Sequence, residues 1–66
     1  MSRIVLEKGW CLDSTADNAY ELLKRQPNGW HVVKRTENPA ELAQFVTAYY
    51  PGLAPRVRKA LNIRDL

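Results

Sequence analysis

The hydrophobic residues of this chain occur in short runs that are separated by glycine, proline and asparagine. These three residue types favour turns, because they supply or fix backbone dihedral angles that helices and strands do not use. They are concentrated at four places, which are Gly9, Pro27-Asn28-Gly29, Asn38-Pro39 and Pro51-Gly52. The breaks therefore divide the chain into five short predicted elements.

Two of the five elements have the pattern of β-strands. Residues 3–8 contain three consecutive apolar side chains, two of them β-branched, which suits a strand that is covered on at least one face. Residues 30–35 alternate around Val32 and Val33 and form the second predicted strand. We therefore expect two strands, separated along the chain by a longer polar and apolar segment.

The segment between these strands has the pattern of an amphipathic helix. Ser14 can cap its N-terminus, with Asp17 three residues later in a near match to the capping box. An apolar stripe at i, i+3, i+4 and i+7 follows, formed by Ala16, Ala19, Tyr20 and Leu23. Lys24 and Arg25 would lie in the last turn, where cations interact favourably with the helix dipole. We therefore expect a helix that starts at Ser14 and ends before the break at 27–29.

The C-terminal half of the chain predicts two more helices. Asn38, Pro39 and Glu41 combine a good N-cap, a proline at the first helical position and an acid in the first turn. The apolar face of this helix is formed by Leu42, Phe45, Val46 and Tyr49. Pro55 can open a last short helix, whose apolar side is formed by Leu53, Val57, Ala60 and Leu61. The other side of the last helix carries Arg56, Arg58 and Lys59.

The resulting fold is a small, single α+β domain over residues 1–66, with the order β-α-β-α-α and two short strands packed on helices. A helix of about twelve residues is roughly 18 Å long, about the length of a six-residue strand. It can return the chain to the starting edge, so a parallel strand pair with a right-handed crossover is the natural arrangement, while antiparallel pairing stays open. A two-stranded sheet is marginal alone, so either the helices cover it well or a strand edge pairs with a second copy.

Composition and charge restrict the cellular compartment and the class of partner that we expect, but they do not identify the partner. The single Cys11 excludes an internal disulfide, and no apolar run approaches the roughly 20 residues that span a bilayer. Glu7 interrupts the first apolar stretch too early for a signal peptide, so we expect a cytoplasmic protein with no membrane partner. The net charge of +3 favours an anionic partner only weakly, although residues 24–35 hold four bases and no acid. These bases are Lys24, Arg25, Lys34 and Arg35.

The sequence contains no recognisable catalytic, metal or cofactor site. The one nucleophile–base pair of a familiar kind is Cys11 with His31. Parallel strands would place these two residues roughly 15–20 Å apart, whereas antiparallel strands would bring them together. Asp13 and Asp17 add carboxylates without a metal-binding spacing, and the glycines form no phosphate-binding loop. We therefore expect no enzyme activity, no metal and no cofactor.

Nucleic acid is one candidate partner. The last two helices, joined at Pro51-Gly52, can form a helix-turn-helix in which Arg56, Arg58 and Lys59 face phosphates or base edges. The proline in the turn and the charge at position 58 depart from that motif, and the three bases also fit the solvated side of an amphipathic helix. Trp10 and Trp30 can stack on bases, although tryptophan in a chain this short is more often part of the core.

A protein partner is the interpretation that the aromatic residues favour. A domain of this size has little interior, so its aromatic side chains cannot all be fully buried. The ones considered are Trp10, Trp30, Phe45, Tyr49 and Tyr50. Tyr49 and Tyr50 are adjacent and point to different sides of their helix, so one of them is expected at the surface. Trp10, Tyr49 and Tyr50 are therefore the predicted anchors for a partner protein.

We accordingly expect a non-enzymatic protein-interaction module, a small regulator or inhibitor that docks on a larger protein. The alternative is a small DNA- or RNA-binding regulator that uses the basic C-terminal helix. The two differ in their salt dependence, which is steep only when phosphates are contacted. A third hypothesis is a purely structural subunit of an oligomer, such as a homodimer, held together by strand-edge pairing.

Overall fold

The computed structural model describes residues 2–62, which form a four-stranded antiparallel sheet followed by two helices. The strands are β1 Ser2–Glu7, β2 Trp10–Ser14, β3 Tyr20–Gln26 and β4 Gly29–Thr36. The helices are α1 Pro39–Tyr49 and α2 Ala54–Ala60, joined by a 3-10 turn at Pro51–Leu53. The strands lie side by side in chain order. Met1 and residues 63–66, the ends of the expected 1–66 domain, lie outside the described range.

The predicted order β-α-β-α-α, with two parallel strands, is wrong. Residues 14–25 do not form a helix, because Ser14 ends β2 and most of the remaining segment is strand β3. Leu22 and Leu23 are 0% and 4% exposed although they are neighbours. Successive side chains of a strand point to opposite faces, so a strand buries both leucines where the sheet has an apolar patch on each face.

Short connections explain why every strand pair is antiparallel. Two residues join β1 to β2 and two join β3 to β4, whereas a parallel crossover needs about a dozen residues. Gly9 and Gly29 have φ of 86° and 124°, values that side-chain-bearing residues rarely adopt. Between β2 and β3, Asn18 adopts a left-handed φ of 65°, and the Thr15 N–H donates to the Ala19 carbonyl at 2.9 Å. Residues 15–19 therefore form a turn, not the first turns of a helix.

The predicted strands at 3–8 and 30–35 and the predicted C-terminal helices are confirmed. Asn38 caps α1, since its Oδ1 accepts a hydrogen bond from the Ala40 N–H at 2.9 Å. Both helices pack on one face of the sheet. The core between them consists of Leu6, Leu12, Leu22, Leu42, Val46, Leu53, Ala54 and Val57. No helix within residues 2–62 is long and apolar enough to span a bilayer.

The other face of the sheet, which we call the open face, is covered by neither helix. Strand alternation and register place an apolar row across it, in which Val5, Cys11, Leu23 and Val32 are cross-strand neighbours. Cys11 and Leu23 are buried in the middle of this row, while Val5 and Val32 at its ends are 71% and 52% exposed. The sheet thus has two apolar surfaces, of which only one is used by the helices.

Replacement of Asn38 by alanine tests the helix start. It removes the side-chain acceptor for the Ala40 N–H and should lower the free energy of unfolding by about 1 kcal/mol. Urea unfolding followed by circular dichroism measures the change. Glu37→Ala is the matched control, because residue 37 is exposed and precedes the cap. Equal losses in both variants would contradict the capping role.

Candidate functional site

The structure does not assemble the catalytic pair that the sequence suggested. Cys11 lies on β2 and His31 on β4, and β3 lies between these two strands. Two strand spacings amount to roughly 10 Å, which is the shortest separation that the backbones of the two residues can have. Val32 follows His31 and lies on the open face with Cys11, which places the His31 side chain on the opposite face. His31 Nε2 instead lies 2.7 Å from Asn28 Oδ1. The two residues are therefore apart, but closer than the roughly 15–20 Å expected for parallel strands and because β3 lies between them.

The carboxylates considered as metal ligands are neutralised by arginines at one end of the sheet. Arg3 contacts Asp13 at 2.9 Å, and Arg35 contacts Asp17 at 2.7 Å and Glu21 at 2.9 Å. Within residues 2–62 no group of three histidine, cysteine or acidic residues could hold a metal ion. We call this region the paired-charge end of the sheet.

The opposite end of the sheet has a different charge pattern, and we call it the basic end. It contains the turn after β1, the start of β2, the end of β3 and the start of β4. No carboxylate among residues 2–62 lies within 4.0 Å of Lys8, Lys24 or Arg25. Glu7, the one acid here, lies 3.9 Å from Arg56. The sheet therefore carries its unpaired bases at one end, beside both tryptophans.

On the helix face of the basic end, four aromatic rings form a continuous row. Trp10 packs against Tyr50 with ring centroids 4.7 Å apart, and Tyr50 lies 6.1 Å from Phe45. Phe45 in turn lies 4.9 Å from Tyr49. Trp10, Tyr50 and Phe45 are half-buried, while Tyr49 is 68% exposed. We call these four residues the aromatic row. They include all three predicted partner anchors, which are Trp10, Tyr49 and Tyr50.

Two lysines flank the aromatic row. Lys24 Nζ lies 5.5 Å from the ring centroid of Trp10, and Lys34 Nζ lies 5.6 Å from that of Phe45. Lys34 is also 3.3 Å from Glu41, whereas Lys24 has no acidic neighbour in the described part of the chain. Phe45 was missed as a site residue, although its i, i+4 spacing to the exposed tyrosine was a usable signal.

On the open face of the basic end, Trp30 borders a groove. The centroid of the Trp30 ring lies 5.6 Å from the guanidinium carbon of Arg25 and 6.0 Å from that of Arg3. Arg25 and Trp30 are direct cross-strand partners. The groove has a volume of about 550 Å³ and is lined by Val5, Glu7, Lys8, Gly9, Arg25 and Trp30. The sequence indicated Arg25 only as one of four bases within residues 24–35, and its position beside Trp30 was not predicted.

The three bases of the predicted nucleic-acid helix do not share one surface. Arg56 and Lys59 border a cleft beside β1, consistent with their i, i+3 spacing. Arg58 borders a different cleft, against Thr47 and Ala48 of α1, and is half-buried. A helix turns by about 100° per residue, so position 58 is far around the axis from position 56.

Comparison with known proteins identifies no relative from which a site could be transferred. No family model matches the chain, and no curated protein or solved structure shows significant similarity to it. The functional argument therefore depends on the geometry of the aromatic row and of the groove beside Trp30.

The Cys11 thiol should be unreactive in the folded protein. Burial raises the pKa of this thiol above its usual value, and the thiolate is the reactive form. We expect a disulfide reagent such as Ellman's reagent to react slowly with native protein at neutral pH and quickly in urea. Fast stoichiometric reaction of the native protein would contradict the burial of Cys11 under the open face.

Asp17 should titrate abnormally low. The Thr15 hydroxyl donates a hydrogen bond to this carboxylate and, with Arg35 nearby, lowers its pKa below the usual 3.8. Because folding lowers this pKa, the ionised carboxylate stabilises the folded state at pH values above the unfolded pKa. That stabilisation is lost as the pH falls through the lower pKa of the folded protein. NMR titration of the side chain measures the effect, and Thr15→Val should move the pKa upward. An unchanged pKa in that variant would assign the shift to Arg35 instead.

Proposed function

We propose that this chain is a non-enzymatic protein-interaction module that docks on a larger protein through the aromatic row. The observation that carries the proposal is the exposed Tyr49 ring, which continues an unbroken set of ring contacts back to Trp10 in the sheet. Aromatic side chains supply much of the binding energy at protein interfaces, and they do so best when they are held in place before binding.

The inner rings of the row are fixed by their neighbours. Trp10 is held between Tyr50 and Lys24, and Phe45 lies against Tyr50 and beneath Lys34. A side chain that is already ordered loses little conformational entropy when a partner covers it. The row is therefore suited to act as a rigid anchor, with its exposed tyrosine entering a pocket on the partner.

The charges beside the row define the chemistry of the partner. Lys24 is available to a carboxylate, because no acid among residues 2–62 lies within 4.0 Å of it. A complementary surface has an apolar pocket for Tyr49 with an acidic side chain at its rim. By covering such a surface, the module acts as a small regulator or inhibitor. A reducing compartment, the cytoplasm, suits its single buried cysteine.

The edges of the sheet favour action as a monomer over the homodimer hypothesis. The pairing of β1 is interrupted by a register shift between Val5 and Glu7, and β4 presents Lys34 and Arg35. Irregular pairing and charged side chains are two of the ways in which proteins block edge-to-edge association. These features support docking through side chains of the aromatic row and not through strand addition.

Truncation of the exposed tyrosine tests the proposal. Tyr49→Ala should weaken binding to the protein partner at least about tenfold, the loss expected for a central aromatic anchor. The partner is captured with the wild-type chain, and its affinity is then measured by calorimetry for each variant. Gln44→Ala is the control, since this residue is exposed on the same helix but outside the row.

Equal affinities for the Tyr49→Ala and Gln44→Ala variants would contradict docking through the row. Duplex DNA binding that is lost when Arg56, Arg58 and Lys59 are changed to alanine would favour the nucleic-acid alternative instead. The salt dependence separates the two classes, because phosphate contacts release counterions and protein contacts of this kind release few.

A further inference from the structure

The groove beside Trp30 is a second surface, on the opposite face of the sheet from the aromatic row. Its volume of about 550 Å³ falls within the roughly 300–1,000 Å³ typical of small-ligand sites. One wall is the half-buried indole of Trp30, and the floor belongs to the end of the open face that neither helix covers. An aromatic ring that is already seated on a sheet provides a flat platform.

The groups around this platform are planar cations. The Arg25 guanidinium lies 5.6 Å from the centre of the indole, and the Arg3 guanidinium lies 6.0 Å from it. Arg3 is held by Asp13, whereas Arg25 has no carboxylate within 4.0 Å among residues 2–62. Indole rings and guanidinium planes are both side-chain surfaces on which nucleic-acid bases stack.

The charge of the groove matches a phosphate backbone. Lys8 and Arg25 both line it, and no carboxylate among residues 2–62 lies within 4.0 Å of either. Glu7, its one carboxylate, lies 3.9 Å from Arg56, which partly offsets its charge. The exposed side chain of Val5 lines the groove, and that of Val32 extends the apolar surface beyond it. An indole with two guanidinium groups over its ring, in a groove that Lys8 also lines, is suited to a chain of bases and phosphates.

We infer that this groove binds single-stranded nucleic acid, with one base stacked on Trp30 and adjacent phosphates at Arg25 and Lys8. The base must be unpaired, because stacking on the indole requires access to the face of a base that a duplex keeps covered. An acidic peptide matches the cations equally well but has no flat group for the platform. The site is separate from the docking surface of the proposed function, since Lys24 and Arg25 point to opposite faces of β3.

This alternation provides a matched pair of variants. Arg25→Ala and Lys24→Ala each remove one positive charge from neighbouring positions, but only the first lies in the groove. Fluorescence anisotropy with a short labelled oligothymidylate should show at least about threefold weaker binding for Arg25→Ala and no change for Lys24→Ala. The slope of log affinity against log salt should fall by about 0.7 in Arg25→Ala, the value for one lost phosphate contact on a single strand.

Base stacking is tested by the fluorescence of Trp30 itself. In a Trp10→Phe variant Trp30 is the one remaining tryptophan, and an aromatic ring is kept at position 10. Addition of oligothymidylate should quench its emission with the same affinity that anisotropy reports, whereas matched polyglutamate should neither quench nor compete.

Three results would overturn the inference. These are equal weakening by both charge variants, equal competition by polyglutamate, and binding without quenching of Trp30. The two proposals can fail independently, because Tyr49→Ala should weaken protein docking at least about tenfold while leaving oligothymidylate binding unchanged.

Discussion

The fold depends on a single constraint, the burial of two consecutive leucines at the centre of β3. Leu22 pairs with Leu12 and contributes to the core beneath the helices. Leu23 pairs with Cys11 and Val32 on the open face. Because neighbouring side chains of a strand point to opposite faces, this central strand needs an apolar surface on each side. The helices supply one of these surfaces, and the other is left available.

The same alternation continues to the end of β3 and distributes its cations. Lys24 follows Leu22 on the helix face and lies beside Trp10, while Arg25 follows Leu23 on the open face and lies beside Trp30. Two acids of the sheet, Asp13 and Glu21, are paired with arginines at its other end. One strand thus creates two tryptophan–cation surfaces at the basic end, and we propose a different kind of partner for each.

Local signals predicted part of the fold correctly. The start of α1 was evident because its cap and its proline act on neighbouring backbone groups. Strands β1 and β4 were also predicted, because each contains a run of β-branched residues. Strand β3 was missed because Ala16, Ala19, Tyr20 and Leu23 match a helical period by coincidence. The decisive feature was the turn at Asn18, whose left-handed backbone is not marked by a glycine. Strand β2 was missed with it, since its five residues are recognisable only beside their partners.

The candidate surfaces were less predictable than the elements. Trp10, Tyr49 and Tyr50 were selected individually, and their contact depends on the way α1 packs over β2. The pairing of Arg25 with Trp30 requires an antiparallel β3–β4 hairpin, which the expected helix excluded. Residues 56, 58 and 59 were grouped because all three were placed on the polar side of the last helix, although position 58 borders a different cleft from the other two. Helix packing decided the first of these outcomes, strand register the second and helix geometry the third.

Nuclear Overhauser effects between side chains test this arrangement most directly, because each tryptophan reports on one face. The account predicts contacts from the Trp10 indole to Tyr50 and Lys24 and from the Trp30 indole to Arg25, with cross-strand contacts between Cys11 and Leu23. Helical contacts between residues i and i+3 through residues 14–25, or both indoles contacting the same helix, would contradict the central role of β3.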